Sequence, residues 1–192
     1  LTIAFTNKSK VNATSHIDER SAGYFALGLS KKTMIPTVII TTSGTAVANL
    51  LPSIIESSYS KTPLIVLSAD RPKNHIGIGE NQAISQQNIF GDNVRGNFDI
   101  GLPRNNYAML NDILLNAYKK SMGTLDIPPG PVHINAPFNE PIVENVYENA
   151  DEEISPKKSK KILKYKINSD KILNNKVNFI KLNLAKIDKN IL

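Results

Sequence analysis

Cysteine is absent from all 192 residues, which excludes a disulfide framework, a thiolate metal site and a cysteine nucleophile. Zinc would have to be held by three well-separated histidines and by carboxylates. No apolar run approaches the roughly 18 uninterrupted positions of a membrane span, so no membrane partner is expected. The opening Leu1-Thr2-Ile3-Ala4-Phe5 lacks the basic start and long apolar core of a signal peptide. It reads as a chain that starts within an element, and with export signals missing the expected location is cytoplasmic. Three sequence signatures are also missing. Without a Gly-Lys-Ser/Thr ending there is no phosphate-loop NTPase. Without Gly-x-Gly-x-x-Gly a dinucleotide-binding dehydrogenase is disfavoured, and without Gly-x-Ser-x-Gly an α/β-hydrolase has no nucleophile elbow.

An excess of one charge is missing as well from most of the chain. The net charge is +6, but residues 1–150 balance 12 basic against 12 acidic side chains, and residues 151–192 carry 11 lysines against 5 acids. The basic tail is rich in Lys, Asn and Ile, with Tyr165 and Phe179 as its aromatics. A basic surface interleaved with aromatics would be expected of a nucleic-acid binder. The tail reads instead as a solvated linker and the first elements of another domain, and no nucleic-acid partner is expected.

What is present alternates between helical and strand patterns. Ala22, Phe25, Ala26 and Leu29 form one apolar stripe, predicting a helix over residues 19–33 with Asp18 as cap. Thr37-Val38-Ile39-Ile40-Thr41-Thr42 is a β-branched run between Pro36 and Gly44 and predicts a buried strand. Helical spacing returns from Ala46 to Ser58, interrupted at Pro52 by a kink or boundary. Leu64-Ile65-Val66-Leu67 is the next predicted strand. Residues Asp70–Asn93 form a polar stretch too long for a plain connection, with a short helix expected near Ile84–Ile89. A strand is expected over Val94–Ile100, a helix through Leu110, Ile113, Leu114 and Ala117, and a last strand over Pro131–Asn135 ending at Pro137. Near-continuous apolar strands alternating with helices imply an α/β fold, a doubly wound parallel sheet with helices on both faces.

In such sheets ligands gather at the carboxyl ends of the strands. Three polar segments lie there: Thr42-Ser43-Gly44-Thr45, Ser68-Ala69-Asp70-Arg71-Pro72 and Asn135-Ala136-Pro137-Phe138. Ser43-Gly44-Thr45, opening a helix, could present backbone N–H groups to an anion or a polar ring. Turn geometry and capping explain the same residues without a ligand. Glu19, in His16-Ile17-Asp18-Glu19-Arg20, could be an ordinary first-turn acid favoured by the helix dipole; Arg20 could orient it or pair with Asp18.

The order of the segments decides between these readings. Asp18-Glu19-Arg20-Ser21-Ala22-Gly23, Thr42-Ser43-Gly44-Thr45-Ala46-Val47-Ala48-Asn49 and Pro63-Leu64-Ile65-Val66-Leu67-Ser68-Ala69-Asp70-Arg71-Pro72 resemble the pyrimidine-binding domain of thiamin-diphosphate enzymes. Gly79-Glu80-Asn81-Gln82-Ala83-Ile84-Ser85-Gln86 and Gly130-Pro131-Val132-His133-Ile134-Asn135-Ala136-Pro137 are similar, within that superfamily, to the 2-succinyl-5-enolpyruvyl-6-hydroxy-3-cyclohexene-1-carboxylate synthases of menaquinone biosynthesis. Acetolactate synthases usually read Ser-Gly-Pro-Gly where this chain has Ser43-Gly44-Thr45-Ala46. Pro72-Lys73-Asn74-His75 departs from the family's usual Pro-Pro-Glu-Leu.

The resemblance implies a transferase that decarboxylates 2-oxoglutarate and adds the succinyl-semialdehyde unit to isochorismate. Glu19 matches the glutamate that bonds N1′ of the cofactor's aminopyrimidine and favours its imino tautomer; that role asks for a buried carboxyl. Ser43, Gly44 and Gln82 match cofactor contacts, and Arg71, Asn81 and Gln82 match substrate contacts, Arg71 because its planar fork holds a carboxylate in two bonds. An intramolecular pair with Asp70 or a loop carboxylate is the alternative for Arg71. His133 and Asn135 are expected to be structural. The resemblance further implies thiamin diphosphate with Mg2+ or Mn2+, the metal held by a C-terminal domain outside these residues, and a homodimer or homotetramer. It predicts residues 1–142 as the pyrimidine domain without its first strand and Gly-Ser-Arg segment, 143–160 as linker and 161–192 as the truncated start of a central domain. The isolated piece is expected to be inactive. An acetolactate-synthase-like enzyme and a non-catalytic binding or regulatory domain of the same fold are the alternatives.

Overall fold

The computed structural model describes residues 1–2, 11–102 and 106–139, all within the first of two units, Leu1–Val143. The expected linker, the central-domain start and the boundary between them lie outside the described residues, as do most of the residues expected to begin mid-element.

Helix α1 runs over Glu19–Thr33, the predicted span. Asp18 caps it by accepting from the Ser21 N–H at 2.7 Å, which satisfies one of the otherwise unpaired first-turn donors. It ends where Met34 takes a left-handed conformation and returns its N–H to Ser30. Strand β1 follows at Thr37–Thr41. The next helical stretch is split into α2 at Thr45–Ala48 and α3 at Leu51–Tyr59, with Pro52 in the first turn of α3. Proline lacks the N–H that a first turn leaves unused, so it starts α3 without loss where it would break a longer helix. Strand β2 covers Leu64–Asp70, extending the predicted Leu64–Leu67 into the polar segment. Strand β3 is confined to Asn97–Asp99, helix α4 spans Tyr107–Met122 and strand β4 spans Pro131–Pro137.

The four strands pair in parallel in the order β1-β2-β4-β3. Side chains alternate across the sheet. On one face Ile39, Leu64 and Val66 meet Ala26 and Leu27 of α1, Val47 of α2 and Ile54 of α3. On the other, Leu67, Val132, Ile134 and Ala136 meet Ala117 of α4. Helices therefore cover both faces, as the unbroken apolar strands required.

Two local expectations fail. No helix forms near Ile84–Ile89; that stretch is irregular, and short 3-10 turns stand instead at Lys73–His75 and Gly91–Asn93. The reason is tertiary, because Gln86 and Phe90 are drawn fully into the interior by partners far away in sequence. In α4 the expected stripe holds at Ala117, but Leu114 is 41% exposed and Leu115 52%, so much of the helix's apolar surface faces away from the sheet.

Candidate functional site

The strand register builds the site. Thr41 of β1, Ser68 of β2, Asn135 of β4 and Asp99 of β3 occupy one row across the sheet. Four polar residues thus stand level at the carboxyl end, just beyond the apolar rows. Thr41, Ser68 and Asn135 are buried and Asp99 is exposed; buried polar groups must satisfy their hydrogen bonds, and Ser68 and Asn135 do. Ser68 Oγ lies 2.8 Å from His133 Nε2 and donates to Asn135 Oδ1 at 3.2 Å. Asn135 Nδ2 donates to Asp70 Oδ2 at 2.7 Å, and Asp70 Oδ1 accepts the Arg71 N–H at 2.7 Å. Burial pushes the Asp70 carboxyl above the usual aspartate range, with the Asn135 and Arg71 hydrogen bonds working against it. Burial likewise holds His133 down at about 4, opposed by the Asp99 charge. His133 is thus a neutral ring at pH 7, packed edge-on against Phe90 at 5.0 Å between centroids. Both His133 and Asn135 are buried in this row and its network.

After β1 the chain turns sharply into α2. Gly44 makes the turn with φ 82° and ψ −144°, a region open in practice only to glycine. A Cβ there would lie 3.2 Å from the Cα of Gln82, so the Ser43-Gly44 turn is packed against the loop that carries Asn81 and Gln82. Gln82 is itself in the left-handed region at φ 56°. The Ser43 side chain is buried, and its hydroxyl has no hydrogen-bond partner among the described residues. The expectation that this turn offers its N–H groups to an anion is corrected at Gly44, whose N–H donates to Gln86 Oε1 at 3.0 Å.

Glu19, the first residue of α1, is half-buried, and its Oε2 accepts from Asn49 Nδ2 at 3.4 Å. Asn49 ends α2, so the carboxylate and the glycine turn belong to one local assembly. The enclosure expected of this carboxyl is only partly supplied by these residues. Arg71, partly buried, has no side-chain hydrogen bond or ion pair among the described residues, and the expected alternative of a pair with Asp70 is not formed; Asp70 takes the Arg71 backbone instead. Asn81 and Gln82 are exposed.

Residues 1–93 match the family described as "Thiamine pyrophosphate enzyme, N-terminal TPP binding domain". The chain is also 44% identical over 142 residues to the 2-succinyl-5-enolpyruvyl-6-hydroxy-3-cyclohexene-1-carboxylate synthase of Haloquadratum walsbyi, covering 74% of this chain and 23% of the relative. Similarity to the synthase of the same name from Chlorobaculum tepidum is 45% over 144 residues, 74% of this chain and 24% of the relative. The Geobacillus thermodenitrificans synthase of that name is 40% identical over 154 residues, 80% and 26%. The chain spans about a quarter of the length of these curated relatives.

A polar aromatic ring is held by a few placed polar groups and a close surface. Glu19, the unpartnered Ser43 hydroxyl and the Gly44 turn fit that requirement. The structure brings Ser43, Gly44 and Gln82 into one packed unit and attaches Glu19 to it through Asn49. No described hydrogen bond joins the side chains of Arg71 or Asn81 to that unit. Asn49 and Gln86 are the residues sequence reasoning left without a role. Each was visible only as a polar member of a motif block.

Proposed function

We propose that this chain provides the pyrimidine-binding part of a thiamin-diphosphate-dependent synthase that decarboxylates 2-oxoglutarate and adds the resulting succinyl-semialdehyde unit to isochorismate. The observation that carries the reading is the Glu19 carboxylate held by Asn49 beside a glycine turn whose buried Ser43 hydroxyl has no partner among the described residues. Similarity to synthases of that name supports the choice of reaction.

Thiamin diphosphate, when bound, supplies the nucleophilic carbon that adds to a 2-oxo acid and the sink for the electron pair released with carbon dioxide. Glu19 would hydrogen-bond the ring nitrogen N1′ and share a proton with it, Asn49 would fix the carboxylate's orientation, and Ser43 and the Gly44 backbone would help to hold the ring. Water must be excluded from Glu19 for that proton sharing. Since these residues leave it half-buried, the remaining cover comes from the cofactor and from a second subunit, in a homodimer or homotetramer. Arg71, whose fork has no hydrogen bond or ion pair among the described residues, binds a carboxylate of isochorismate in two bonds. Asn81 and Gln82 add polar contacts to substrate, Gln82 also to the cofactor. Among the described residues no group of three or more His, Cys, Asp or Glu could hold a metal ion; the Mg2+ or Mn2+ that neutralises the diphosphate is assigned to residues beyond them. No described helix is long and apolar enough to cross a membrane, and the reading is of a cytoplasmic enzyme.

The test uses the protein at the full length its gene encodes, with thiamin diphosphate and Mg2+. Carbon dioxide release from 2-oxoglutarate that depends on isochorismate, one for one, is the expected result. Release from pyruvate with no dependence on isochorismate would replace this reading with an acetolactate-synthase-like one. Ligand binding without turnover of either acid would leave a non-catalytic domain.

A further inference from the structure

Gln86 is fully buried in a stretch whose neighbours Ser85 and Gln87 are exposed. Burying a primary amide is costly unless its donors and acceptor are all paired. Here they are. Oε1 accepts the Gly44 N–H at 3.0 Å, and Nε2 donates to the Ala69 carbonyl and to Asn135 Oδ1, each at 2.8 Å, with Ser68 Oγ at 3.3 Å. One side chain therefore joins the turn after β1, the end of β2 and the end of β4.

From Asn135 the chain of bonds continues. Asn135 Nδ2 fixes Asp70 Oδ2, which orients the carboxylate so that Oδ1 receives the Arg71 N–H. Each member is held in one direction: Asn135 can accept from Gln86 only with its Nδ2 toward Asp70. We infer that Gln86 is a positioning residue, setting the Ser43-Gly44 turn on one side and, through Asn135 and Asp70, the backbone of Arg71 on the other. It thereby holds the part of the site proposed for the cofactor ring and the arginine proposed for the acceptor's carboxylate in one fixed relation. Gln86 is fully buried, so its part is positioning and not contact with a ligand. This functional meaning rests on the proposed reading of Glu19, Ser43 and Arg71, whereas the mechanical coupling rests on the hydrogen bonds alone.

Backbone hydrogen exchange on the 15N-labelled protein, without cofactor or substrate, tests the coupling. Gln86→Leu keeps the volume and removes both branches, so the protection factors of Gly44 and Arg71 should fall together by roughly tenfold or more, while β2 and β4 amides distant from the row keep theirs. Uniform loss of protection across the sheet, or loss at Gly44 with Arg71 unchanged, would overturn the inference. Gln86→Glu supplies the second readout and guards against a leucine variant that does not fold. A carboxyl accepts from Gly44 whether or not it is ionised, but it donates to Asn135 only while protonated. Gly44 should thus stay protected at every pH, whereas Arg71 should be protected in acid and lose protection as the new carboxyl ionises. A residue that merely fills space would move both amides alike or neither, and that result would also overturn it. Failure of the synthase assay leaves these exchange results untouched, and failure of the exchange experiment leaves the synthase reading standing.

Discussion

Asn49 Nδ2 donates to Glu19 Oε2 across 3.4 Å, tying the first residue of α1 to the last turn of α2. The contact lies at the protein surface and is long, so it contributes little to stability. Its consequence is orientation of a carboxylate whose helix position alone would leave it free to point into solvent. Glu19→Gln should leave the melting temperature nearly unchanged and lower synthase activity at least ~100-fold, the usual scale for loss of a proton-sharing group. Asn49→Ala should lower it less, with the same small effect on melting. A Glu19→Gln enzyme of near-normal rate would remove Glu19 from the chemistry.

The Gly44 turn sets a stability test. Gly44→Ala puts a β-carbon at φ 82° and 3.2 Å from backbone of Gln82, where neither strain nor contact is relieved by a rotamer change. The expected loss is about 1–3 kcal/mol, read by urea denaturation. Gly77→Ala, also at positive φ (86°) but with nothing within 4 Å, is the control. It bears backbone strain alone, so Gly44→Ala should cost more; equal losses would mean that the packing against Gln82 contributes nothing.

Helix packing makes a further prediction at Gly23. An added β-carbon would collide with Ser53 Oγ of α3 and lie 3.2 Å from Leu50 Cδ2, so α1 and α3 touch through the missing side chain. Gly23→Ala should destabilise by ~1–3 kcal/mol as an overpacked contact. Ser53→Gly in the same chain should recover part of that loss, and a double-mutant cycle measures the coupling. Strict additivity of the two changes would show that the helices do not meet there.

His133 gives a pH dependence with a definite sign. Folded, it takes up a proton only near pH 4; unfolded, it does so near the ordinary value of about 6.5. Between these values the unfolded chain binds more protons, so acidification through that window removes stability, up to about 3 kcal/mol, and the effect levels off below it. Asp70, raised by burial, works in the opposite sense: its contribution is present below the unfolded aspartate value and is lost as pH rises through the higher folded one. Denaturation of His133→Gln across pH 4–7 separates the two, because the loss between 6.5 and 4 should be much reduced in the variant. Parallel curves for both proteins would rule His133 out as the source.

Those experiments bear on features of unequal legibility. Helix α1 was readable to the residue because its signals are local: Asp18 as cap, an apolar stripe, and Pro36 shortly beyond. β1, β2 and β4 were readable from apolar runs that only a sheet covered on both faces produces. Pro52 marked the break between α2 and α3 for the same local reason. The segment from Arg71 to Gly96 was not readable, since its order comes from partners distant in sequence. Gln86 answers to Gly44 and Asn135, and Arg95 to Ser58 and the Pro128 carbonyl. In sequence a buried glutamine is indistinguishable from a solvated one. The candidate site divides likewise: turn chemistry exposes Gly44, while Glu19 and Arg71 stand out only through the motif blocks around them.

Arg71 carries the sharpest functional prediction, because its fork has no hydrogen bond or ion pair among the described residues while its backbone is fixed by Asp70. A side chain engaged in a salt bridge would have to give it up to bind substrate; this one does not. Arg71→Lys retains the charge but not the planar pair of donors, so KM for isochorismate should rise roughly tenfold with kcat little changed, the pattern of lost ground-state binding. Arg71→Gln should raise it further, and neither variant should shift the melting temperature appreciably. A rise confined to KM for 2-oxoglutarate would transfer the residue to the donor acid. A fall in melting temperature with both KM values intact would make Arg71 a structural residue after all, and the acceptor's carboxylate would need another partner.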